Sequence, residues 1–225
     1  KAEHPEWQAE IDQLIVEEQA GLDSREGMTP RNVICALNRY LNENTPVATD
    51  VGQHQMWAAQ YLNLKNSRRF LSSGGLGTMG FGMGAAIGAA MGTQERTVLV
   101  TGDGSFGMNL NELATAVANH VPMVIFLLNN NVLGMVRQWQ TLFFDKHYSN
   151  TTLDARQTDF VKLAQAFGAQ ASRALTLEEL ETALTAAFAC DGPYLIDCAI
   201  DKDEFVLPML PPGGSMDDII TRIGD

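Results

Sequence analysis

The chain has 225 residues, of which 45% are hydrophobic, and a formal net charge of −12. This length and apolar content suffice for one sizeable domain with its own core. The acidic balance argues against nucleic acid and anionic membrane surfaces as partners. The three cysteines have neither the spacing of a zinc site nor that of a disulfide framework.

The amino-terminal stretch predicts a helix that stands apart from the main domain. Apolar residues recur at helical spacing from about Pro5 to Ala20. We interpret residues 1–28 as a linker or docking helix, or as the tail of a preceding domain. The sequence starts at Lys1 without a visible secretory signal, so we expect a cytoplasmic protein of bacterial type.

The main domain is expected to span residues 29–205. Thr29-Pro30 is a typical helix start, with a capping residue followed by proline in the first turn. Strand-like runs then alternate with helical segments, beginning near residue 46 and ending near residue 200. This alternation predicts an α/β fold with one doubly wound, mostly parallel sheet of about six strands flanked by helices. Residues 206–225 are expected to form a proline-rich tail that folds over the mouth of a site.

Polar residues follow the first predicted strand. Gly52-Gln53-His54 precede an amphipathic helix, where backbone amides and side-chain donors can bind a phosphate group. A simple helix cap with solvent-facing side chains is the alternative interpretation.

A glycine-rich segment offers a second interpretation of the domain. Gly75-x-Gly77-x-x-Gly80 matches the dinucleotide-binding fingerprint, and Asp103 follows where a ribose-binding acid would fall. This alternative predicts an NAD-binding dehydrogenase domain. It leaves the glycines on both sides of Asp103 unexplained.

The helix that follows repeats glycine at every fourth position, from Gly80 to Gly92. Because each glycine weakens a helix, we expect the sheet or a symmetry-related helix to approach this bare face closely. The uncharged stretch 70–94 that contains it is too rich in glycine and serine, and too poor in flanking anchors, to predict a membrane span.

Asp103 stands alone between Gly102 and Gly104, directly after a β-branched apolar run. Asn109 and Glu112 have the spacing of a capping box, which predicts a helix from there to about residue 120. A second apolar run, 121–128, ends in three asparagines at 129–131. A right-handed strand, helix, strand crossover places both strand ends at the same edge of a parallel sheet.

One carboxylate, one or two amide oxygens and a glycine-lined gap suit Mg²⁺, which completes its octahedral shell with water and ligand phosphates. The pattern therefore predicts a diphosphate ligand held through Mg²⁺ by Asp103 and the asparagine cluster. The alternative is that Asp103 and the asparagines merely end their strands at turns.

These motifs resemble a known family. Gly102-Asp103-Gly104-Ser105-Phe106, followed by LNN at 128–130, resembles the thiamine-diphosphate motif. Together with LGMVRQW at 133–139 and VGQHQMWAAQ at 51–60, the segment is similar to the large, catalytic subunit of acetohydroxyacid synthases, also called acetolactate synthases. The resemblance covers nearly all of the chain from Thr29 onward.

The resemblance implies roles for individual residues. Asp103 and Asn130 would bind Mg²⁺ through side-chain oxygens, and the backbone carbonyl of Val132 would be the third protein ligand. The residues implied in binding thiamine diphosphate are Gln53, His54, Gly77, Met79, Gly104, Ser105, Asn130, Leu133, Gly134 and Met135. Met135 and Trp139 would line a substrate channel, although a core role is the alternative for both.

The resemblance also implies an activity, the condensation of pyruvate with pyruvate or 2-oxobutyrate, with loss of CO₂, in branched-chain amino-acid biosynthesis. Another thiamine-diphosphate enzyme, a pyruvate oxidase or a 2-oxo acid decarboxylase, is the alternative.

In this family an activating glutamate lies on a pyrimidine-binding domain, and FAD lies mainly on another domain. We therefore expect this chain to be inactive without those domains or a subunit that carries them. A homo-oligomer and a small regulatory subunit are further implied partners.

Overall fold

The computed structural model describes residues 4–23 and 25–223. The strands are β1 (Val47–Thr49), β2 (Phe70–Leu71), β3 (Thr97–Gly102), β4 (Met123–Asn129), β5 (Gln170–Ala174) and β6 (Tyr194–Ala199). The helices are α1 (Pro5–Asp23), α2 (Pro30–Asn38), α3 (Gln53–Tyr61), α4 (Phe81–Thr93), α5 (Asp103–Phe106), α6 (Leu113–Ala118), α7 (Gly134–Phe143), α8 (Phe160–Phe167) and α9 (Leu177–Ala189). Short 3-10 helices lie at Leu110–Glu112, Asp154–Arg156 and Met216–Asp218.

The six strands form one sheet in the order β2-β1-β3-β4-β6-β5, and every neighbouring pair is parallel. The central strands β3 and β4 are almost completely buried because helices cover both faces of the sheet. The predicted doubly wound α/β fold of about six strands is confirmed.

Alternating side chains of the strands build two cores. Val98 and Val100 point into a core that includes residues of α2, α3 and α9. Leu99, between them, points into a second core that includes residues of α4, α6 and α8. This alternation follows from the two-residue period of a strand, and it explains why the strands read as continuous apolar runs.

The helix start predicted at Thr29-Pro30 is confirmed. The Thr29 hydroxyl accepts a hydrogen bond from the Asn32 amide, with Pro30 in the first turn. The capping box predicted at Asn109–Glu112 is wrong. The Asn109 side chain donates to the Gly80 carbonyl over 3.3 Å instead of capping a helix, and a 3-10 turn precedes α6.

Helix α1 forms where the periodicity predicts it, but the apolar side chains described for its first part lie outside both cores. Trp7, Ile11, Leu14 and Ile15 are all exposed. The division of the chain at residue 28 remains a prediction, and residues 1–3 lie outside the described part.

The bare face of α4 does not meet the sheet. Gly84, Gly88 and Gly92 have no heavy atom within 4 Å of where a Cβ would stand. The sheet instead approaches Gly82, where a Cβ would come within 2.6 Å of Leu99 Cδ1. The expectation that the sheet packs on the four-residue glycine repeat is therefore wrong, and contact with a symmetry-related helix stays a prediction.

The described residues contain no helix of the length and apolarity needed to span a membrane. The uncharged stretch considered above divides into a two-residue strand, a loop and α4.

Candidate functional site

A cavity of about 260 Å³ opens at the carboxyl ends of the central strands. Its walls come from the segments that follow β1, β3 and β4, and from the loop 77–79. The order of the sheet reverses at β1 and β3, because β1 lies between β2 and β3. Ligands of open α/β sheets bind at such a switch point, so the fold itself singles out this cavity.

Asp103 directly follows β3 and is 2% exposed. Its Oδ2 atom has no hydrogen-bond partner. Burial raises the pKa of the Asp103 carboxyl to about 6, although Arg156 and nearby backbone amides, including that of Asn130, lower it. The Arg156 guanidinium, 3.6 Å from this oxygen, is too distant to hydrogen-bond to it. A buried carboxylate oxygen without a hydrogen bond is costly, and a bound cation would compensate it.

Asn130 lies on the neighbouring strand end. Strands β3 and β4 are in register, with Gly102 opposite Leu128, so Asp103 and the asparagines that begin at residue 129 follow neighbouring strand ends at the same edge of the sheet. The predicted juxtaposition is confirmed. The Asn130 Oδ1 atom accepts a hydrogen bond of 3.2 Å from the Val132 amide, which tightens the turn after β4.

The oxygen atoms at this edge of the sheet fit Mg²⁺ better than a metal ion whose ligands all come from the protein. Within residues 4–23 and 25–223, no three His, Cys, Asp or Glu side chains are grouped to bind a metal. Asp103, Asn130 and Val132 all line the cavity and offer oxygen ligands. A site with one carboxylate leaves coordination positions for water and phosphate oxygens, as Mg²⁺ requires.

His54, in the first turn of α3, is held between two glycines. A Cβ on Gly52 would come within 2.8 Å of the imidazole ring, and one on Gly102 within 2.7 Å. Burial lowers the pKa of His54 to about 4, against the opposing influence of Asp50. The imidazole is therefore neutral at pH 7, and its buried Nε2 atom has no hydrogen-bond partner.

Gln53 is fixed by its neighbours. Its Nε2 donates to Gln138 Oε1 over 3.0 Å and to the Glu204 carbonyl over 2.9 Å. Its Oε1 accepts from Asn130 Nδ2 over 3.4 Å. These bonds place the Gln53 amide group against the candidate metal ligand Asn130.

Asp50 is a buried residue of the site that we did not predict. Its Oδ1 accepts hydrogen bonds from the Gly80 amide at 2.7 Å and the Gly82 amide at 3.4 Å. Its Oδ2 accepts from the Thr101 hydroxyl at 3.1 Å. Asp50 thus fixes the glycine-rich loop at the start of α4. Its position directly after a strand, like that of Asp103, was the signal available in the sequence.

The dinucleotide interpretation fits this topology poorly. The fingerprint requires a strand, helix, strand unit whose strands are neighbours in the sheet. Here the glycine loop connects β2 to β3, and β1 lies between those two strands. Gly75 also has open space around it, whereas the fingerprint glycines allow close approach of backbone.

The start of helix α7 also lines the cavity, next to the start of α3. A Cβ on Gly134 would come within 1.9 Å of Gln53 Oε1, and one on Gly104 within 2.6 Å of Leu133 Cδ2. Met135 lines both the first cavity and a second one of about 730 Å³, to which Trp139 belongs. The two cavities therefore adjoin at Met135, as a channel leading to the site requires.

Two further residues support the site without a signal in the sequence. Gln138 is 1% exposed and exchanges two hydrogen bonds with the backbone of Val206, which ties the tail to α7. Arg156 donates to the Asp103 carbonyl over 2.8 Å. Both act through long-range contacts that only the fold creates.

The structure brings the predicted cofactor and metal residues together around one cavity. Those that line the first cavity are Gln53, His54, Gly77, Met79, Asp103, Gly104, Ser105, Asn130, Val132, Leu133, Gly134 and Met135. The remaining predicted residue, Trp139, lines the adjoining cavity. The proximity of these residues is observed, and their ligand roles stay predictions.

Comparison with known proteins agrees with this geometry. Residues 50–198 match the model of the thiamine pyrophosphate enzyme family, C-terminal TPP binding domain. The chain is 45% identical over 192 residues to the acetolactate synthase isozyme 2 large subunit of Escherichia coli (strain K12), an alignment covering 83% of this chain and 35% of that protein. It is 41% identical over 218 residues to the mitochondrial acetolactate synthase catalytic subunit of Saccharomyces cerevisiae, covering 95% of this chain and 31% of that protein.

The chain spans about a third of the length of the curated relatives it matches. The family match covers well over half of the chain and contains the strand ends that carry Asp103 and Asn130. The chain therefore belongs to the thiamine pyrophosphate-binding, C-terminal domain family of thiamine pyrophosphate enzymes.

Proposed function

We propose that this chain is the diphosphate- and Mg²⁺-binding part of an acetolactate synthase. The complete enzyme would condense pyruvate with pyruvate or 2-oxobutyrate, with loss of CO₂. The similarity to acetolactate synthase large subunits from several organisms supports this assignment. The buried Asp103 carboxylate, with one oxygen lacking a hydrogen bond and Asn130 beside it, is the structural observation on which it rests.

The metal would be held by Asp103, Asn130 and the carbonyl of Val132. The diphosphate would contact this Mg²⁺ and the polar groups of Gln53, His54, Gly104 and Ser105, which line the same cavity. A neutral His54 imidazole can donate one hydrogen bond to a phosphate oxygen without a proton being added first.

The remaining cavity residues would hold the organic part of the cofactor. The Gly77 carbonyl and the Met79 amide would contact the aminopyrimidine ring, and Leu133, Gly134 and Met135 would surround the rest. When bound, thiamine diphosphate supplies the electron sink for decarboxylation of a 2-oxo acid. Met135 and Trp139 would guide the substrate through the adjoining cavity.

Parts of the complete site would come from outside this chain. We propose that a pyrimidine-binding domain supplies the activating glutamate, and that FAD is bound mainly by another domain. A homo-oligomer and a small regulatory subunit belong to the same proposal. The chain alone would bind the cofactor without turning over pyruvate.

Calorimetric titration of the protein with thiamine diphosphate, with and without Mg²⁺, tests the binding function. We expect Mg²⁺-dependent binding, and we expect Asp103→Asn to weaken it by about a hundredfold or more, since even outer partners of metal ligands contribute ten- to hundredfold. Asp191→Asn is a matched control, because Asp191 is exposed and precedes β6 at the opposite edge of the sheet. Binding of NADH in place of thiamine diphosphate would contradict the proposal.

Product analysis on the protein combined with the pyrimidine-binding and FAD-binding domains tests the activity. Acetolactate is the expected product from pyruvate. Acetyl phosphate would indicate a pyruvate oxidase, and free aldehyde a 2-oxo acid decarboxylase. Acetolactate formed by this chain alone would contradict the requirement for the other domains.

A further inference from the structure

Arg156 lies outside the cavity and contacts the turn that carries Asp103. Its Nη2 atom donates to the Asp103 backbone carbonyl over 2.8 Å and lies 3.6 Å from the Asp103 Oδ2 atom. Arg156 is absent from the residues that line the cavity, which include Asp103 itself. The guanidinium thus stands behind the carboxylate rather than in the space where a ligand would bind.

Gly107 makes room for this guanidinium. Its φ of −59° is an ordinary helical value that any residue adopts, so the backbone does not require glycine there. A Cβ at this position would, however, come within 2.9 Å of Arg156 Nη1. The nearest neighbour of a side chain at position 107 would therefore be the arginine, whose end would have to move aside.

A third contact is with an aromatic ring, and the Arg156 side chain stays 35% exposed. The Arg156 guanidinium carbon lies 5.9 Å from the centre of the Phe160 ring, which is buried at the start of α8. The planar group is thus bounded by an aromatic ring, a glycine and the Asp103 carbonyl. A planar, permanently charged fork suits the orientation of a neighbouring group better than a flexible lysine would.

We propose that Arg156 is the positioning residue for the metal carboxylate and the diphosphate-binding turn. By holding the Asp103 carbonyl, it fixes the helical turn 103–107, which also presents Gly104 and Ser105 to the cavity. This inference rests on the proposed function and adds to it a residue outside the cavity wall.

Removing the guanidinium weakens cofactor binding because the turn that carries Asp103 loses its contact with Arg156. We expect Arg156→Gln to raise the Kd of thiamine diphosphate at saturating Mg²⁺ by about ten- to a hundredfold, the range typical of groups that orient metal ligands. Arg156→Lys keeps the charge but lacks the fork, and should recover only part of the affinity. Arg68→Gln, an exposed arginine before β2 at the opposite edge of the sheet, is the matched control and should bind like the wild type.

Gly107→Ala tests the same contact from its other side. The added Cβ should displace the long arginine side chain rather than unfold the turn, and so should weaken binding in the wild-type background. In the Arg156→Gln background the same substitution should have no further effect, because no guanidinium remains to be displaced. This double-mutant cycle separates positioning through Arg156 from a general effect on folding.

The electron paramagnetic resonance spectrum of Mn²⁺, bound in place of Mg²⁺ with thiamine diphosphate, provides a second readout. We expect the spectrum to change in Arg156→Gln and Gly107→Ala and to stay unchanged in Arg68→Gln. Wild-type affinity and spectrum in a folded Arg156→Gln variant, or additive losses in the cycle, would overturn this inference alone. A wild-type protein that binds no thiamine diphosphate with Mg²⁺ would overturn the proposed function, and this inference with it.

Discussion

The glycines in two regions of the molecule differ in how closely other groups approach them. On the cavity wall, a Cβ added to Gly102 or Gly134 would collide with His54 or Gln53. On the outer face of α4, a Cβ added to Gly84 or Gly88 would meet nothing within 4 Å. A glycine in the sequence can therefore mark either a crowded or an open position in the fold. The spacing of the glycines does not show which of the two applies.

Unlike the outer face of α4, the cavity wall also contains buried polar atoms that lack a hydrogen-bond partner. Asp103 Oδ2 and His54 Nε2 are both buried and lack a hydrogen-bond partner. Such groups lower the stability of the metal-free protein, because burial removes their hydration without replacing it. Binding sites commonly retain this kind of stability cost for the sake of function.

Among the substitutions that test this comparison, Asp103→Asn is expected to change the free energy of unfolding of the metal-free protein most. The folded-state pKa of Asp103, about 6, lies above the ordinary value of 3.8, so the folded state holds its proton more tightly than the unfolded state. The stability that Asp103 contributes is present below pH 3.8 and is lost as the pH rises through about 6. At pH 7 and above, removing the carboxylate should raise the free energy of unfolding by about 2–3 kcal/mol.

His54 contributes a pH dependence of the opposite sign. Its folded-state pKa of about 4 lies below 6.5, so its contribution is present above pH 6.5 and is lost as the pH falls through about 4. The two groups oppose each other in the wild type between about pH 4 and 6. Denaturant unfolding with a chelator should show a steeper loss of stability below pH 6.5 in Asp103→Asn than in the wild type. A stability difference between the two proteins that stays constant from about pH 7 to pH 4 would contradict this assignment.

Local patterns in the sequence predicted the fold, the polar strand ends and the Gly52-Gln53-His54 segment, whereas the other cavity residues were predicted through the family resemblance. Apolar runs of strand length, glycines at strand ends and capping residues are all readable along the chain. Asp103 and Asn130 could be paired in advance because parallel strands place their carboxyl ends at one edge.

Residues that act through distant contacts could not be predicted in this way. Gln138 reaches Gln53 across 85 positions of sequence, and Arg156 reaches Asp103 across 53. The wrong prediction of a capping box at Asn109 also comes from a distant contact, because the Asn109 side chain donates to the carbonyl of Gly80 in another loop. Tertiary contacts decide the role of such residues, and one sequence contains no record of them.

A smaller effect, in this case a loss of stability, is expected from Gly102→Ala. The backbone at Gly102, with φ of −112°, accepts alanine, so the effect isolates the collision with His54 Nδ1 at 2.7 Å. Overpacking of this kind costs about 1–3 kcal/mol in the free energy of unfolding. Thermal or denaturant unfolding measures it, and His54→Ala should relieve most of the loss when combined with Gly102→Ala. Equal losses with and without the imidazole would show that the glycine serves another purpose.

The smallest effect is expected on the outer face of α4, where substitutions should increase the stability of the protein without changing the cavity. Gly84→Ala and Gly88→Ala place a methyl group in open space within a helix, where alanine is favoured over glycine by about 1 kcal/mol per site. Each should raise the free energy of unfolding by about that amount and leave the affinity for thiamine diphosphate unchanged. Gly82→Ala is the matched control in the same helix, because its Cβ would meet Leu99 and should destabilise the fold. A loss of stability at Gly84 or Gly88 that depends on protein concentration would show instead that another subunit covers this face, since association between chains weakens on dilution.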